Sequence, residues 1–320
     1  MENDKLQTVP NVLKRLALLL GTEVKNKRLE IPEKFGKGYC AGFVFNEHIR
    51  MLISNYELNE DLEVENPEIN ASKRMIFFKF QNIFPTTEII STGKHLMKMP
   101  SVLIATSRMN TDDVISIHTN TATINVEVDA GYLNGLFDLS GKSPVLQSLL
   151  QNTQPLLFEQ LIYPSLQKIV DEIVTEPVAE TFELFFLRIK AEELVCRLLM
   201  ELEKRDEKHL VALNIHDIQN LYKVKEQMLE HLEIPPVISE LAVCANMSPS
   251  KLKRLFKQIF GNSIFSYYQE FRMKEAARLL KEEKLSVSEV GYQLGFTNLS
   301  HFSRVFAEYI GIKPKQYSRS

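Results

Sequence analysis

Apolar and polar residues alternate through much of the first half of the chain. Between about residues 34 and 133, short runs rich in β-branched and aromatic side chains follow one another, at 49–56, 74–80, 102–106, 114–118 and 122–128. Thr123-Ile124-Asn125-Val126-Glu127-Val128 switches character at every step, the period of a strand with one buried face. Turn-forming clusters separate the runs: Asn66-Pro67, Thr92-Gly93 and Asn110-Thr111-Asp112-Asp113. Many short strands at this spacing predict a sandwich or small barrel.

From Pro144 onward the pattern reads as helical. Phe182, Phe185, Phe186, Ile189, Leu194, Val195, Leu198, Leu199 and Leu202 fall mostly on one helical face, bounded by Pro177 and a charge run at 203–208. That stripe predicts either a homodimer contact or packing on the strands. A further helix turns Ile218, Leu221, Val224 and Met228 inward, and Ile234-Pro235-Pro236 stops it. The pattern is α+β: a β-rich N-terminal region with helices, then an all-α C-terminal region. It predicts a domain over 1–206, a linker at 207–215 and a second domain over 216–320.

The C-terminal region holds one pattern twice. Ser239-Glu240-Leu241-Ala242 recurs as Ser288-Glu289-Val290-Gly291, at an offset of 49. Ser250-Lys251-Leu252-Lys253-Arg254-Leu255-Phe256 recurs as Ser300-His301-Phe302-Ser303-Arg304-Val305-Phe306, at an offset of 50. One residue is therefore gained in the turn between the blocks, and each copy closes on a glycine, Gly261 and Gly311. A short helix, a tight turn and a second helix, present twice, predict two helix-turn-helix units. Such a unit can place its second helix in a DNA major groove.

In the first copy Ser248 is placed to cap the second helix, with Pro249 at its first position. Leu252, Leu255, Phe256 and Ile259 form an inward stripe. Ser250, Lys253, Arg254 and Lys257 share the opposite face, flanked by Lys251. In the second copy Asn298 caps, Phe302, Val305, Phe306 and Tyr309 point inward, and Ser300, Ser303 and Arg304 point outward beside His301. Ala242 and Gly291 hold equivalent places, where a small side chain lets two helices cross closely. Between the copies, 264–280 predicts one helix of roughly 25 Å at 1.5 Å per residue. A spacer of that size suits two recognition helices one turn of B-DNA apart, about 34 Å.

Charge sharpens this picture. The chain has a net charge of −3, but residues 240–320 hold 13 Lys and Arg against 7 Asp and Glu. A net +6 there leaves −9 on the remainder, which points to a polyanion at the C-terminal end. Three widely spaced cysteines, Cys40, Cys196 and Cys244, argue against a disulfide framework or a cysteine zinc site. No apolar run approaches the roughly 20 residues that span a bilayer, and no signal-peptide layout is present. The expectation is a cytoplasmic protein without a membrane partner.

The segment from about residue 220 to 320 resembles the DNA-binding domain of the AraC/XylS family of bacterial transcription regulators. The residues that carry the resemblance are Leu241-Ala242, Met247-Ser248-Pro249-Ser250, Leu252, Arg254-Leu255-Phe256-Lys257 and Gly261, then Gly295-Phe296, Ser300, Phe302-Ser303-Arg304-Val305-Phe306, Gly311, Pro314 and Tyr317. It implies seven helices, two helix-turn-helix units and binding to double-stranded promoter DNA, with RNA polymerase as a partner. The base- and phosphate-contacting positions carried over by position are Ser250, Lys251, Lys253, Arg254, Lys257, Asn298, Leu299, Ser300, His301, Ser303 and Arg304. Leu299 is apolar where a polar reader is expected, Glu308 puts an anion on the second recognition helix, and Ser318 replaces the Arg that usually follows the terminal Tyr.

The resemblance also implies an N-terminal domain that senses a small-molecule effector or dimerises, with a cupin-like barrel, and an activator. The stretch 31–38 followed by 52–56 resembles the start of siderophore-responsive members. A cupin-like metal enzyme and a protein-interaction module carrying a DNA-binding domain are the competing classes. The enzyme class needs clustered ligands, whereas His48, His95 and His118 stand singly. Neither a phosphate-binding glycine loop nor a Ser-centred nucleophile elbow occurs. The expectation is therefore no catalytic residue, no metal site and no cofactor.

Overall fold

The cross-strand rows of one antiparallel sheet organise the N-terminal region in the structure, a computed structural model. It describes residues 9–65, 74–83, 99–107, 114–117, 120–137, 143–205 and 210–319. The strands are β1 (Arg28–Glu30), β2 (Gly36–Val44), β3 (Ile49–Leu58), β4 (Leu62–Glu65), β5 (Met75–Gln81), β6 (Ser101–Thr106), β7 (Val114–Ile117), β8 (Asn120–Asp129) and β9 (Leu157–Leu161). Seven of them pair in the order β1-β2-β3-β8-β5-β6-β9, and β4 pairs with β7 as a separate ribbon.

Alternation within each strand puts one set of apolar side chains on one sheet face. Met51 pairs with Val126, Val126 with Phe78, Phe78 with Ile104, and Ile104 with Phe158, a buried row across five strands. Ile53, Ile124, Phe80 and Val102 make the next row. This face joins one core with α3 (Pro144–Gln151), α4 (Pro164–Thr175) and α5 (Glu180–Glu203). Helix α1 (Asn11–Leu20) seats Leu13, Leu16, Ala17 and Leu20 against Leu29, Cys40, Tyr56 and Leu58 in a second cluster. A short α2 (Ala130–Leu136) follows β8, capped by the Asp129 carboxylate, which accepts the Tyr132 N–H at 2.8 Å.

Two features of the sequence pattern resolve differently. The region after Pro144 is not all helical, because Leu157–Leu161 adds β9 to the edge of the sheet. The stripe on α5 divides between opposite faces. Leu194, Val195, Leu198, Leu199 and Leu202 are buried in the core, whereas Phe182, Phe185 and Ile189 are exposed. At 100° per residue these two sets diverge around the helix, so one stripe on paper is two faces in three dimensions. The glycines of the 31–38 stretch also have a structural cause. At Gly36 (φ +151°) and Gly38 (φ +103°), a Cβ would lie 2.0 Å from the Glu57 carbonyl oxygen and 2.3 Å from that of Asn55.

The chain divides into two compact units, the first ending at Ala212 and the second beginning at Leu213. Residues 207–209 of the expected linker and His118 of the expected fourth strand lie outside the described residues. The second unit is all helical: α6 (Ile215–Glu230), α7 (Ile238–Cys244), α8 (Pro249–Phe260), α9 (Ile264–Lys281), α10 (Val287–Gln293), α11 (Leu299–Ile310) and α12 (Pro314–Tyr317). Helix α6 buries Ile218, Leu221, Val224 and Met228. Helix α9 buries Tyr268, Phe271, Ala276 and Leu279, and packs with both α10 and α11. Its 18 residues make it the central spacer of this unit, about 27 Å long.

Candidate nucleic-acid interface

The two helix-turn-helix units share a turn that sequence spacing alone left open. Asn246 follows α7 with φ +50°, and Gly295 follows α10 with φ +76°. Both are left-handed, a conformation that Asn tolerates and Gly adopts freely. The extra residue of the second copy therefore falls between this left-handed residue and the cap of the next helix.

In the first unit the Ser248 hydroxyl accepts the Lys251 N–H at 3.3 Å, and Pro249 opens α8 without forfeiting a hydrogen bond. Leu252, Leu255, Phe256 and Ile259 are buried to within 1 % of full burial. Each such side chain stabilises the unit by about 1.5–3 kcal/mol through the area it removes from water. The rings of Phe256, Phe260 and Tyr267 close this core, with Phe256 and Phe260 centroids 4.4 Å apart. Gly261 ends the helix at φ +76°. On the opposite face Ser250, Lys253, Arg254 and Lys257 are exposed. Lys253 and Arg254 have no ion-pair partner among the described residues. Lys251 is placed differently: its ammonium lies 2.8 Å from Asp217 Oδ1 on α6.

In the second unit a reciprocal box caps α10. The Ser286 N–H donates to the Glu289 carboxylate at 2.8 Å, and the Glu289 N–H donates to the Ser286 hydroxyl at 3.3 Å. The Ser286 side chain, then its backbone, hold the Glu289 carboxyl below its usual pKa. Asn298 caps α11, its Oδ1 accepting from Ser300 N at 2.9 Å and His301 N at 3.1 Å. Phe302, Val305 and Phe306 are buried as expected. Tyr309 is 40 % exposed, and Ile310 makes the last apolar contact of α11 with the core. Ser300, His301 and Arg304 are exposed, Ser303 is half-buried, and Arg304 has no ion-pair partner among the described residues. Leu299 is half-buried and turned inward: its Cδ2 lies 2.6 Å from the place a Cβ on Gly291 would take. Its apolar character follows from packing on α10.

Arg272 of α9 was not singled out by periodicity. Its guanidinium is buried, donates to Gln269 Oε1 at 2.9 Å and to the Leu294 carbonyl oxygen, and lies 4.1 Å from the Phe296 ring centroid. It ties the spacer helix to the turn of the second unit. Asp217 was missed as well, because its partner Lys251 is 34 residues away.

In the N-terminal unit, Lys79 sits on the sheet face opposite the core, across from Leu103 and Asn125. It is exposed to solvent, yet surrounding protein atoms lower its pKa. The nearby Thr123 hydroxyl is buried without a hydrogen-bond partner. His48 stacks on Tyr132 with centroids 4.8 Å apart, and His95 and His118 lie outside the described residues. Among the described residues no group of three potential metal ligands occurs, and no helix is long and apolar enough to cross a membrane.

Residues 241–320 match the family profile described as a helix-turn-helix domain. The transcriptional regulator GbdR of Pseudomonas aeruginosa is 36 % identical over 108 residues, 34 % of this chain and 29 % of that protein. The C-terminal unit is an AraC-type helix-turn-helix domain. The arabinose operon regulatory protein of Escherichia coli is 34 % identical over 80 residues, 25 % of this chain and 27 % of its own length. This chain therefore spans less than a third of each of these two relatives. An AraC-type regulator from Chromobacterium violaceum shares 28 % identity over 33 % of this chain and 95 % of that structure, with a TM-score of 0.31.

Proposed function

We propose that this protein is a cytoplasmic, sequence-specific transcription regulator, an activator that binds promoter DNA through its AraC-type domain and responds to a small molecule. The observation that carries this reading is the pair of capped helices, α8 and α11, that expose cations and hydroxyls over a buried apolar stripe. The readers of the first unit are Ser250, Lys253, Arg254 and Lys257. Those of the second are Ser300, His301, Ser303 and Arg304. Arg suits bidentate bonds to guanine, Lys suits guanine or phosphate, and Ser reads less selectively. Asn298 positions α11 through its cap.

The regulators GbdR and the arabinose operon protein support transcription control as the role of the whole chain. RNA polymerase is the partner of an activator. The N-terminal unit is the sensor, and its support is the sheet face opposite the core, where the exposed Lys79 and the buried Thr123 hydroxyl lack partners among the described residues. An effector with a group that accepts hydrogen bonds fits that face. Genome-wide mapping of bound sites tests the reading: discrete promoter sites support it, and uniform retrieval of the genome refutes it.

A further inference from the structure

The Lys251–Asp217 contact is more than a surface ion pair. The Asp217 side chain is 12 % exposed and that of Lys251 41 % exposed, so the carboxylate is the held partner and the lysine comes to it. Asp217 Oδ2 also accepts from Asn214 Nδ2 at 2.8 Å, while the Asp217 N–H donates to Asn214 Oδ1 at 2.7 Å. The Asn214 amide, itself held by the Asp217 backbone, thus fixes the carboxylate before the lysine reaches it, which reduces the side-chain entropy that makes exposed ion pairs weak. Lys251 stands in the first turn of α8, where the positive end of the helix disfavours an unpaired cation. The equivalent position in the second unit is His301, which is exposed, with the Phe296 ring edge-on at 5.7 Å.

We propose that Asp217 withholds Lys251 from DNA, so that this lysine braces α6 against the recognition helix and does not neutralise phosphate. The proposal rests on the DNA-binding reading above and changes what that helix offers. Lys253, Arg254 and Lys257 then carry the charge that α8 offers to DNA, and Asp217 is a positioning residue whose loss frees a cation at the DNA surface. Asp217 lies on the first turn of α6, directly after the start of the second unit at Leu213.

Salt dependence separates a lysine that meets phosphate from one that does not. Each neutralised phosphate adds about 0.9 to the slope of log affinity against log salt. The full chain is titrated onto a fluorescent duplex of random sequence over a range of salt, with folding checked by circular dichroism. Lys251→Ala should leave the slope within its error, whereas Lys253→Ala should flatten it by about 0.9. Asp217→Asn, which keeps the shape of the side chain, should steepen it by about 0.9 and tighten binding at low salt. Without DNA, the melting-temperature changes of Asp217→Asn and Lys251→Ala should be non-additive in the double variant. Equal flattening by Lys251→Ala and Lys253→Ala overturns the proposal while leaving DNA binding intact. Should Asp217→Asn fail to fold, the lysine variants still decide. A wild-type chain that binds no duplex at all overturns both readings.

Discussion

The Arg272 guanidinium lies 4.1 Å from the centre of the Phe296 ring and donates to the carbonyl oxygen of Leu294. The contact joins the spacer helix α9 to the turn of the second unit, so the orientation of α11 depends on a residue outside that unit. Arg272→Met removes the donor and leaves a helix-end carbonyl unpaired. The expected loss of stability is about 3 kcal/mol, from hydrogen bonds made by a buried charged group and the cation–π contact. Denaturant unfolding of the full chain measures it. A loss below about 0.5 kcal/mol, the range of ordinary surface changes, would contradict the structural role.

Gly291 and Leu299 define a second dependence. A Cβ on Gly291 would lie 2.6 Å from Leu299 Cδ2 and 3.3 Å from Phe302 Cδ1. Gly291→Val should destabilise the second unit by about 1–3 kcal/mol through overpacking. Because the nearest atom is the end of a flexible side chain, Leu299→Ala should recover part of that loss. No recovery in the double variant would place the strain elsewhere, at Phe302.

How much of this was legible in the sequence depends on the range of each interaction. The two buried stripes, the caps Ser248 and Asn298, and the stops at Gly261 and Gly311 are local, set within one or two helical turns, and they stand where periodicity put them, except for Tyr309 at the end of the second stripe, which is exposed. The place of Lys251 depends on an acid 34 residues earlier, and that of Arg272 on a carbonyl 22 residues later. Spacing within a helix does not encode either partner. Strand β9 escaped notice because a short apolar run looks alike as strand and as buried helix. On α5 the apolar set was legible and 100° per residue already separates its two halves, but which half enters the core is set by the packing of α3, α4 and the sheet.

That division is testable. Leu198 is fully buried and Phe185 is 66 % exposed. Leu198→Ala should cost about 2–5 kcal/mol as a core cavity, while Phe185→Ser should change stability by no more than about 0.5 kcal/mol. Sedimentation of the folded Phe185→Ser variant then addresses self-association. A dimer that persists unaltered excludes this face as its contact.

Acid should weaken the cap of α10 in a defined direction. The Glu289 carboxyl is held below its ordinary value of 4.5 by the Ser286 side chain and backbone. A depressed folded pKa contributes stability above the unfolded value, and that contribution is lost as pH falls through the folded value. The melting temperature should therefore decline below about pH 4.5, with a smaller decline in Glu289→Gln. Identical pH profiles for the two proteins would remove Glu289 from the account.

The central claim is that the fold is duplicated while the chemistry offered to DNA is not. Helix α8 exposes Lys253, Arg254 and Lys257, whereas α11 exposes Ser300, His301 and Arg304. The most direct measurement is affinity and base preference on duplexes selected from a randomised pool, for two double variants. Lys253→Ala with Arg254→Ala should lose more affinity than Ser303→Ala with Arg304→Ala. Arg254→Ala alone should cost about 1–3 kcal/mol and relax preference at one position. Equal losses from the two double variants, or unchanged affinity and preference in Arg254→Ala, would contradict the account.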